Sequence, residues 1–549
     1  MIVRGVHPPA APRALPTIDE QLRATVATHG ARVALREEER AVTWSELDAL
    51  ADRMARALLA HGVEPGDRVA VWMPNSIDWV VTWLAAVRVR AVFVPVSTRL
   101  TVTEFRHVVS DCDPRVLLVN VAPFDIDPVR YLRALTPSGP LTVVVRDGSP
   151  SLDSFLELAD RTDAETLAAR SARIGVADPV LIIYTSGSTG GAKGVVHDHR
   201  VLRNEAAIAW YLGITSASRI LGHMPFFHVA GGMSAVLPAI ITGAEVVLMP
   251  TWSVEEAVAL IRDRRVSVFG GIATHYVDLL GHVAPEDRSL ASLRSGWIGG
   301  ALNPSEVMRE AAARLGFRPL PAYGMTETTS VTTYPLPEDP DEVVYGGRGR
   351  PISDFEVAVG SLETGRPLPA GEQGEILVRG HLVMREYHGR PAETARAIDA
   401  DGWFHTGDVG RLDEQGYLSI TGRSKEMYVV GGNNVFPAEV ETVLTAHPDV
   451  VQVHVVAVPD ERLGEVGYAY VQTRDIPVET ADLSAFAAER LSGYKVPAHL
   501  ELVSRWPLNG TGKVDKLELR ARAIATLGLE DVAARRLLPS ESGVDGIRA

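Results

Sequence analysis

The chain has 549 residues, 46% of them hydrophobic and 22% charged, the balance of a soluble globular protein and too long for one hydrophobic core, so at least two domains are expected. A formal net charge of -15 argues against nucleic acid or an anionic membrane as the main partner, so bound anions must rely on local donors. A single cysteine, Cys112, excludes an internal disulfide framework, reads as a core filler and fits a reducing cytoplasm.

The first stretch, MIVRGVHPPAAPRALPT, is rich in Pro and Arg and lacks an apolar signal core, so no export is expected. Residues 68–97 divide into a strand (RVAVWMP), an amphipathic helix (SIDWVVTWLAAVRVR) and a second strand (AVFVPVS), which is a βαβ unit. At 179–183 the run PVLII signals a buried strand that leads into YTSGSTGGAKGV at 184–195. There Gly187, Gly190, Gly191 and Gly194 let backbone amides turn inward, Ser186, Ser188 and Thr189 add hydroxyls, and Lys193 adds a cation, a set suited to cradling a polyphosphate. It is not the P-loop pattern, because Ala192 precedes Lys193 and Gly194 follows it, leaving no hydroxyl to hold a metal ion. Residues 220–244 carry no formal charge, but Pro238, glycines and two histidines interrupt them, which favours a buried helix and strand beside a pocket over a membrane span. Strand and helix signals alternate again at 245–250, 254–265 and 266–270, so a large α/β domain with stacked sheets is expected. Beyond GRSKE at 422–426 come a helix (AEVETVLTA), two strands (VVQVHVVAV and GYAYVQT) and further helical segments, the pattern of a small α+β domain of roughly 125 residues. The last stretch, 530–549, reads as a weakly ordered tail.

The 184–195 loop resembles the signature loop of the adenylate-forming superfamily, which comprises the acyl-CoA synthetases, luciferases and peptide-synthetase adenylation domains. The resemblance runs over 17–516 and recurs, in the family's order, at PFFHVAGG (225–232), IGGALN (298–303), AYGMTET (322–328), GEILVRG (374–380), DGWFHTGDVG (401–410), GRSKEMYVVGGNNVFPAEVE (422–441) and PLNGTGKVDK (507–516). One departure is Ala192, where the family has Pro, and a less rigid loop before Lys193 is expected.

The resemblance implies a large adenylating domain, 1–423, and a small mobile lid, 424–549, swivelling at Lys425 between two half-reactions. It implies ATP, Mg2+ and coenzyme A as reactants and cofactor, with a carboxylic acid activated as its acyl adenylate. Thr185, Ser186, Gly187, Ser188, Thr189, Gly190 and Lys193 would hold the phosphates; Glu327, beside Thr326, the magnesium; Gly300, Ala301, Tyr323, Gly324 and Met325 the adenine; Asp408 and Arg423 the ribose. Lys513 on the lid would bridge carboxylate and α-phosphate, with Lys516 its non-catalytic companion. His228 would gate the passage from acyl pocket to thiol tunnel, a core histidine being the alternative. Gly431 and Gly432 would form the lid strand along the pantetheine tunnel. Acetate- and propionate-activating relatives place a tryptophan where this chain has Gly324, so the pocket is expected to be open, with Gly231, Gly232 and Gly271 adding room and Met233, Ile272 and Ala273 apolar walls; a medium-sized or bulky hydrophobic acid follows. An acyl carrier protein or amine as acceptor, and a non-catalytic binding relative, are the competing readings. No nucleic-acid or integral membrane association is expected, and the oligomeric state, a homodimer among the options, stays open.

Overall fold

The computed structural model describes residues 1–5, 16–121, 124–135, 141–146, 151–185, 192–285, 287–300, 305–352, 354–474, 478–508 and 514–529. The chain forms two compact units: Met1–Thr406 with Arg411–Ser419, and Gly407–Gly410 with Ile420–Ala549. Among the described residues no helix is long and apolar enough to cross a membrane.

The larger unit holds two seven-stranded sheets. In one, the strands Arg68–Trp72 and Val92–Pro95 pair in parallel around the helix Ile77–Arg88, as the βαβ pattern requires. Ser76 starts that helix by accepting from the Trp79 amide at 3.2 Å, and the apolar run that follows is buried on nearly every side. Cys112 lies in the core cluster with Trp72, Val94 and Phe105, and burial pushes its thiol pKa up, as befits an inert filler. The strand Pro179–Thr185 continues this sheet and pairs antiparallel with Lys193–Asp198, Thr185 facing Lys193. The glycine-rich segment therefore joins two strands of a hairpin, whereas a P-loop joins a strand to a helix.

In the other sheet the strands Leu320–Ala322, Ser295–Gly299, Val268–Gly271, Arg219–Gly222, Glu245–Leu248 and Val33–Glu37 run parallel in that order, and Arg40–Thr43 closes the edge antiparallel. Its core is built from Leu221, Val247, Phe269, Tyr276, Leu279 and Ile298. The uncharged stretch 220–244 resolves into the strand Arg219–Gly222, a single wide turn Val229–Met233 and the buried helix Ser234–Thr242.

In the smaller unit Val450–Asp460 and Gly464–Thr473 form a long antiparallel ladder, extended by Tyr428–Val430, Asn433–Val435 and His499–Leu502. The helix Pro437–Thr445 covers one face through Val440 and Leu444, and Lys516–Leu527 covers the other through Leu519 and Ala523. Gly431 and Gly432 do not form a strand: with φ of +55° and +88° they make the tight turn between Tyr428–Val430 and Asn433–Val435, a conformation that asks for glycine.

Candidate active site

Parallel strands leave their carboxyl ends on one edge, and loops from that edge are where such sheets bind ligands. Here the edge collects the expected residues of the larger unit. Tyr323 and Gly324 follow the strand ending at Ala322, Gly300 the one ending at Gly299, Ile272 the one ending at Gly271, and His228 the loop after Gly222. Gly300 has a φ of +82°, which excludes most side chains.

The Tyr323–Thr333 loop is tied at its base, the Tyr323 amide donating to the Thr333 carbonyl at 3.3 Å and the Thr332 amide to the Tyr323 carbonyl at 2.7 Å. Its tip is a single turn, Thr326–Thr328. Thr329 takes a φ of +72°, strained for a β-branched residue, and is held there by donating to the Leu382 carbonyl at 2.7 Å. His197 also anchors the tip, its Nε2 donating to the Thr326 carbonyl at 2.7 Å; burial lowers the pKa of this histidine to about 4, so the ring stays neutral.

Glu327 leaves this turn and accepts through Oε1 from the Tyr387 hydroxyl at 2.9 Å. Burial and the adjoining Glu327 raise the pKa of Tyr387, keeping the hydroxyl a donor. The other side of the Tyr387 ring lies 5.0 Å from the Lys193 ammonium, which also pairs with Glu393. Lys193 and Glu327 thus share one tyrosine. The carbonyl of Ala192 accepts from His107 at 3.0 Å, a tether beside the position where the family has Pro. Among the described residues no group of three or more His, Cys, Asp or Glu could hold a metal. A single carboxylate such as Glu327 fits magnesium, which takes few protein ligands and would complete its shell from phosphate and water.

Within the smaller unit, Asp408 is 4% exposed and its Oδ1 lies 2.8 Å from Arg423 Nε, so the two expected ribose contacts stand side by side. Lys425 sits in the turn Ser424–Glu426. The expected phosphate contacts 186–190, Ala301 and the lysine Lys513 lie outside the described residues.

Three glycines do not do what was expected of them. A Cβ on Gly324 would lie 2.1 Å from the Ser330 carbonyl oxygen; on Gly231, 2.1 Å from that of Pro225; on Gly232, 2.6 Å from that of Phe226. Their bare faces are filled by backbone, so they permit close chain packing and leave no open acyl space. Gly271 instead faces side chains, with His275 Nδ1 3.0 Å from a Cβ placed there. Met233 is 1% exposed and belongs to the core. His228 is half-buried, its ring edge-on to Phe227 at 4.6 Å, and its carbonyl accepts from the Gly231 and Gly232 amides, so the wide turn fixes its backbone.

Sequence reasoning missed Tyr387, Glu393, His197 and His107, each remote in the chain from the group it serves. The only signal was polar residues inside otherwise apolar strands, as in HDH at 197–199.

The family model for AMP-binding enzymes matches residues 22–388, and that for the AMP-binding enzyme C-terminal domain matches 439–513. A 3-[(3aS,4S,7aS)-7a-methyl-1,5-dioxo-octahydro-1H-inden-4-yl]propanoyl:CoA ligase of Rhodococcus jostii is 37% identical over 520 residues, covering 92% of this chain and 98% of the relative. A feruloyl-CoA synthase of Amycolatopsis sp is 34% identical, covering 91% and 97%. The crystal structure of ATP-bound MatB from Rhodopseudomonas palustris superposes with a TM-score of 0.82 at 28% identity, covering 92% of this chain and 99% of that one. The chain belongs to the AMP-binding enzymes, among the acyl-CoA synthetases of the adenylate-forming superfamily.

Proposed function

We propose that this chain is an AMP-forming acid:coenzyme A ligase acting on a bulky hydrophobic or ring-bearing carboxylic acid. The observation that carries the reading is the link Lys193–Tyr387–Glu327, which joins the lysine of the glycine-rich hairpin to the carboxylate expected to hold magnesium. Relatives named for a bicyclic propanoate and for ferulate support a ring-bearing acid.

A carboxylate oxygen of the acid attacks the α-phosphorus of ATP, and the bond from that phosphorus to the pyrophosphate oxygen breaks. The sulfur of coenzyme A, giving up its proton, then attacks the acyl carbon, and AMP leaves with the former carboxylate oxygen. Both reactants of the first step are anions, so oriented amides and cations must offset their repulsion. Thr185, Lys193 and the loop residues 186–190 hold the β- and γ-phosphates; Gly300, Ala301, Tyr323, Gly324, Met325 and Thr326 border the adenine; Asp408 accepts from the ribose hydroxyls, and Arg423 is a second ribose contact. Magnesium, held by Glu327, supplies charge compensation at the phosphates. Lys513 neutralises the forming bond. The boundary at 423/424, the hinge at Lys425, the gating ring of His228, the acyl wall at Gly271 and Ile272, and a cytoplasmic location belong to the same proposal.

The test is incubation with ATP, Mg2+ and a panel of ring-bearing and linear acids, with coenzyme A or an acyl carrier protein supplied separately, read by mass spectrometry. The expected products are acyl-CoA, AMP and pyrophosphate. Acyl transfer to the carrier protein alone would replace the acceptor, and no acid-dependent pyrophosphate would reject the reading.

A further inference from the structure

Beyond the nucleotide residues, the carboxyl edge of the parallel sheet presents a polar aromatic cluster for which the chemistry of activation has no use. Along that edge, Tyr323, Gly300 and Ile272 follow successive strands, and the next two strands are followed by His223, directly after Gly222, and by Trp252, shortly after Leu248. His223 Nε2 lies 3.2 Å from Nδ1 of His275, which stands in the first turn of the helix Ala273–His282. His223 stacks flat on Phe269 at 4.9 Å, and His275 stacks on Trp252 at 4.2 Å, whose Nε1 donates to Asp278 at 2.7 Å. The bare face of Gly271 looks onto this pair: a Cβ there would be 3.0 Å from His275 Nδ1 and 3.6 Å from His223 Nε2.

The hydrogen-bond pattern assigns the tautomers. His223 Nδ1 lies 3.4 Å from the Leu221 carbonyl, which can only accept, so the proton of this ring sits on Nδ1 and Nε2 is a lone pair. That lone pair accepts a hydrogen bond from the His275 Nδ1–H, which leaves His275 Nε2 as an acceptor. Burial, and for His275 also the charge of Arg99, keeps both rings neutral, so neither offers an imidazolium. His275 is the more exposed of the two, 8% against 2%. A hydrocarbon placed against the pair would leave the acceptor unpaired, whereas a hydroxyl would satisfy it, and a site built for a hydroxyl rejects the analogue lacking one.

We propose that His275, oriented by His223 and Trp252, is a specificity-determining residue of the acyl site, and that the acid selected carries a hydroxyl on its ring or chain, away from the carboxylate. The proposal rests on the reading of the chain as an acid-activating ligase. Its test uses matched acids that differ by one hydroxyl: 3-phenylpropanoate against 3-(4-hydroxyphenyl)propanoate, cyclohexylpropanoate against its 4-hydroxy form, and octanoate against 8-hydroxyoctanoate. Acid-dependent pyrophosphate release by the full chain should favour the hydroxylated member of at least one pair by about tenfold in kcat/KM, the scale of one satisfied neutral hydrogen bond. In His275→Phe that ratio should fall to near one, and in His275→Gln, which restores an acceptor oxygen, it should partly return. Equal use of both members of every pair by the parent chain overturns the proposal, even if no variant folds. An unchanged ratio in His275→Phe overturns it too. A parent chain that releases no pyrophosphate with any acid rejects the ligase reading itself.

Discussion

The carboxyl edge of the larger unit and the charged cluster beside Ser424–Glu426 in the smaller one hold their residues by opposite means. At the edge, positioning comes from backbone in close contact and from neutral hydrogen bonds: Gly324 packs on the Ser330 carbonyl, His197 holds Thr326, and His223 holds His275. In the smaller unit it comes from charge. Lys516 Nζ lies 2.7 Å from Glu426, the residue after Lys425, and 3.0 Å from Glu441, which is 7% exposed and also accepts from the Val455 amide at 2.8 Å. An edge built on contact should fail when a side chain is added, and a cluster built on charge should fail when one is removed.

The largest effect is expected at Gly324. Gly324→Trp cannot place even its Cβ without moving the loop that carries Glu327, so ring-bearing, linear and short acids should all lose ~10²-fold or more in pyrophosphate release, the scale of a misplaced catalytic group. Selective survival of acetate or propionate would restore the view that this glycine opens the pocket.

Lys516→Met comes next. It strands Glu426 and Glu441 without their cation, and should destabilise the smaller unit by about 2 kcal/mol, less than a fully buried pair would lose, because Lys516 keeps 28% exposure. Amide exchange in Val450–Asp460 and Gly464–Thr473 should rise while the edge residues stay protected. Uniform loss of protection across both units would deny that the cluster acts locally.

A third experiment sharpens the contrast inside the larger unit, at a carboxyl that is fully buried. Glu205 is 0% exposed and accepts from the Ser330 hydroxyl at 2.7 Å, with Asn204 beside it, and burial raises its pKa to about 8. Folded, it keeps its proton up to that pH; unfolded, it loses the proton near 4.5. Between these values the folded chain binds more protons, so its stability falls as pH rises, by at most about 1.4 kcal/mol per pH unit. Glu205→Gln should remove this slope, with denaturant midpoints of parent and variant diverging from pH 5 to 8. Parallel midpoints would mean that Glu205 is ionised when folded and belongs with the charged mode of support.

Much of this was legible in the chain. The βαβ unit at 68–97, the strand entering the glycine-rich loop and the helix and strand in 220–244 follow from periodicity, because one face of each element must meet a core. The motif residues at the carboxyl edge follow from where parallel strands end. What stayed hidden depends on direction and long-range contact. Nothing in AYGMTE says that the bare side of Gly324 meets Ser330. The two glycines of VVGGNN read as part of a strand until their positive φ makes them its turn. Tyr387 reaches Glu327 only because the short strand Glu386–Tyr387 pairs with Lys193–Asp198, a register set by the sheet and by no local pattern. Lys516 does start its helix, but its partners Glu426 and Glu441 lie far back in the sequence.

Activation through an acyl adenylate makes a claim about a single atom. With acid carrying 18O in both carboxylate oxygens, the full chain, ATP, Mg2+ and coenzyme A, attack on the α-phosphorus must leave one carboxylate oxygen on AMP once the thioester forms. Mass spectrometry should find AMP heavier by one labelled oxygen, with unlabelled pyrophosphate, in step with acyl-CoA. Label in inorganic phosphate accompanied by ADP, or thioester formed beside unlabelled AMP, would contradict the account.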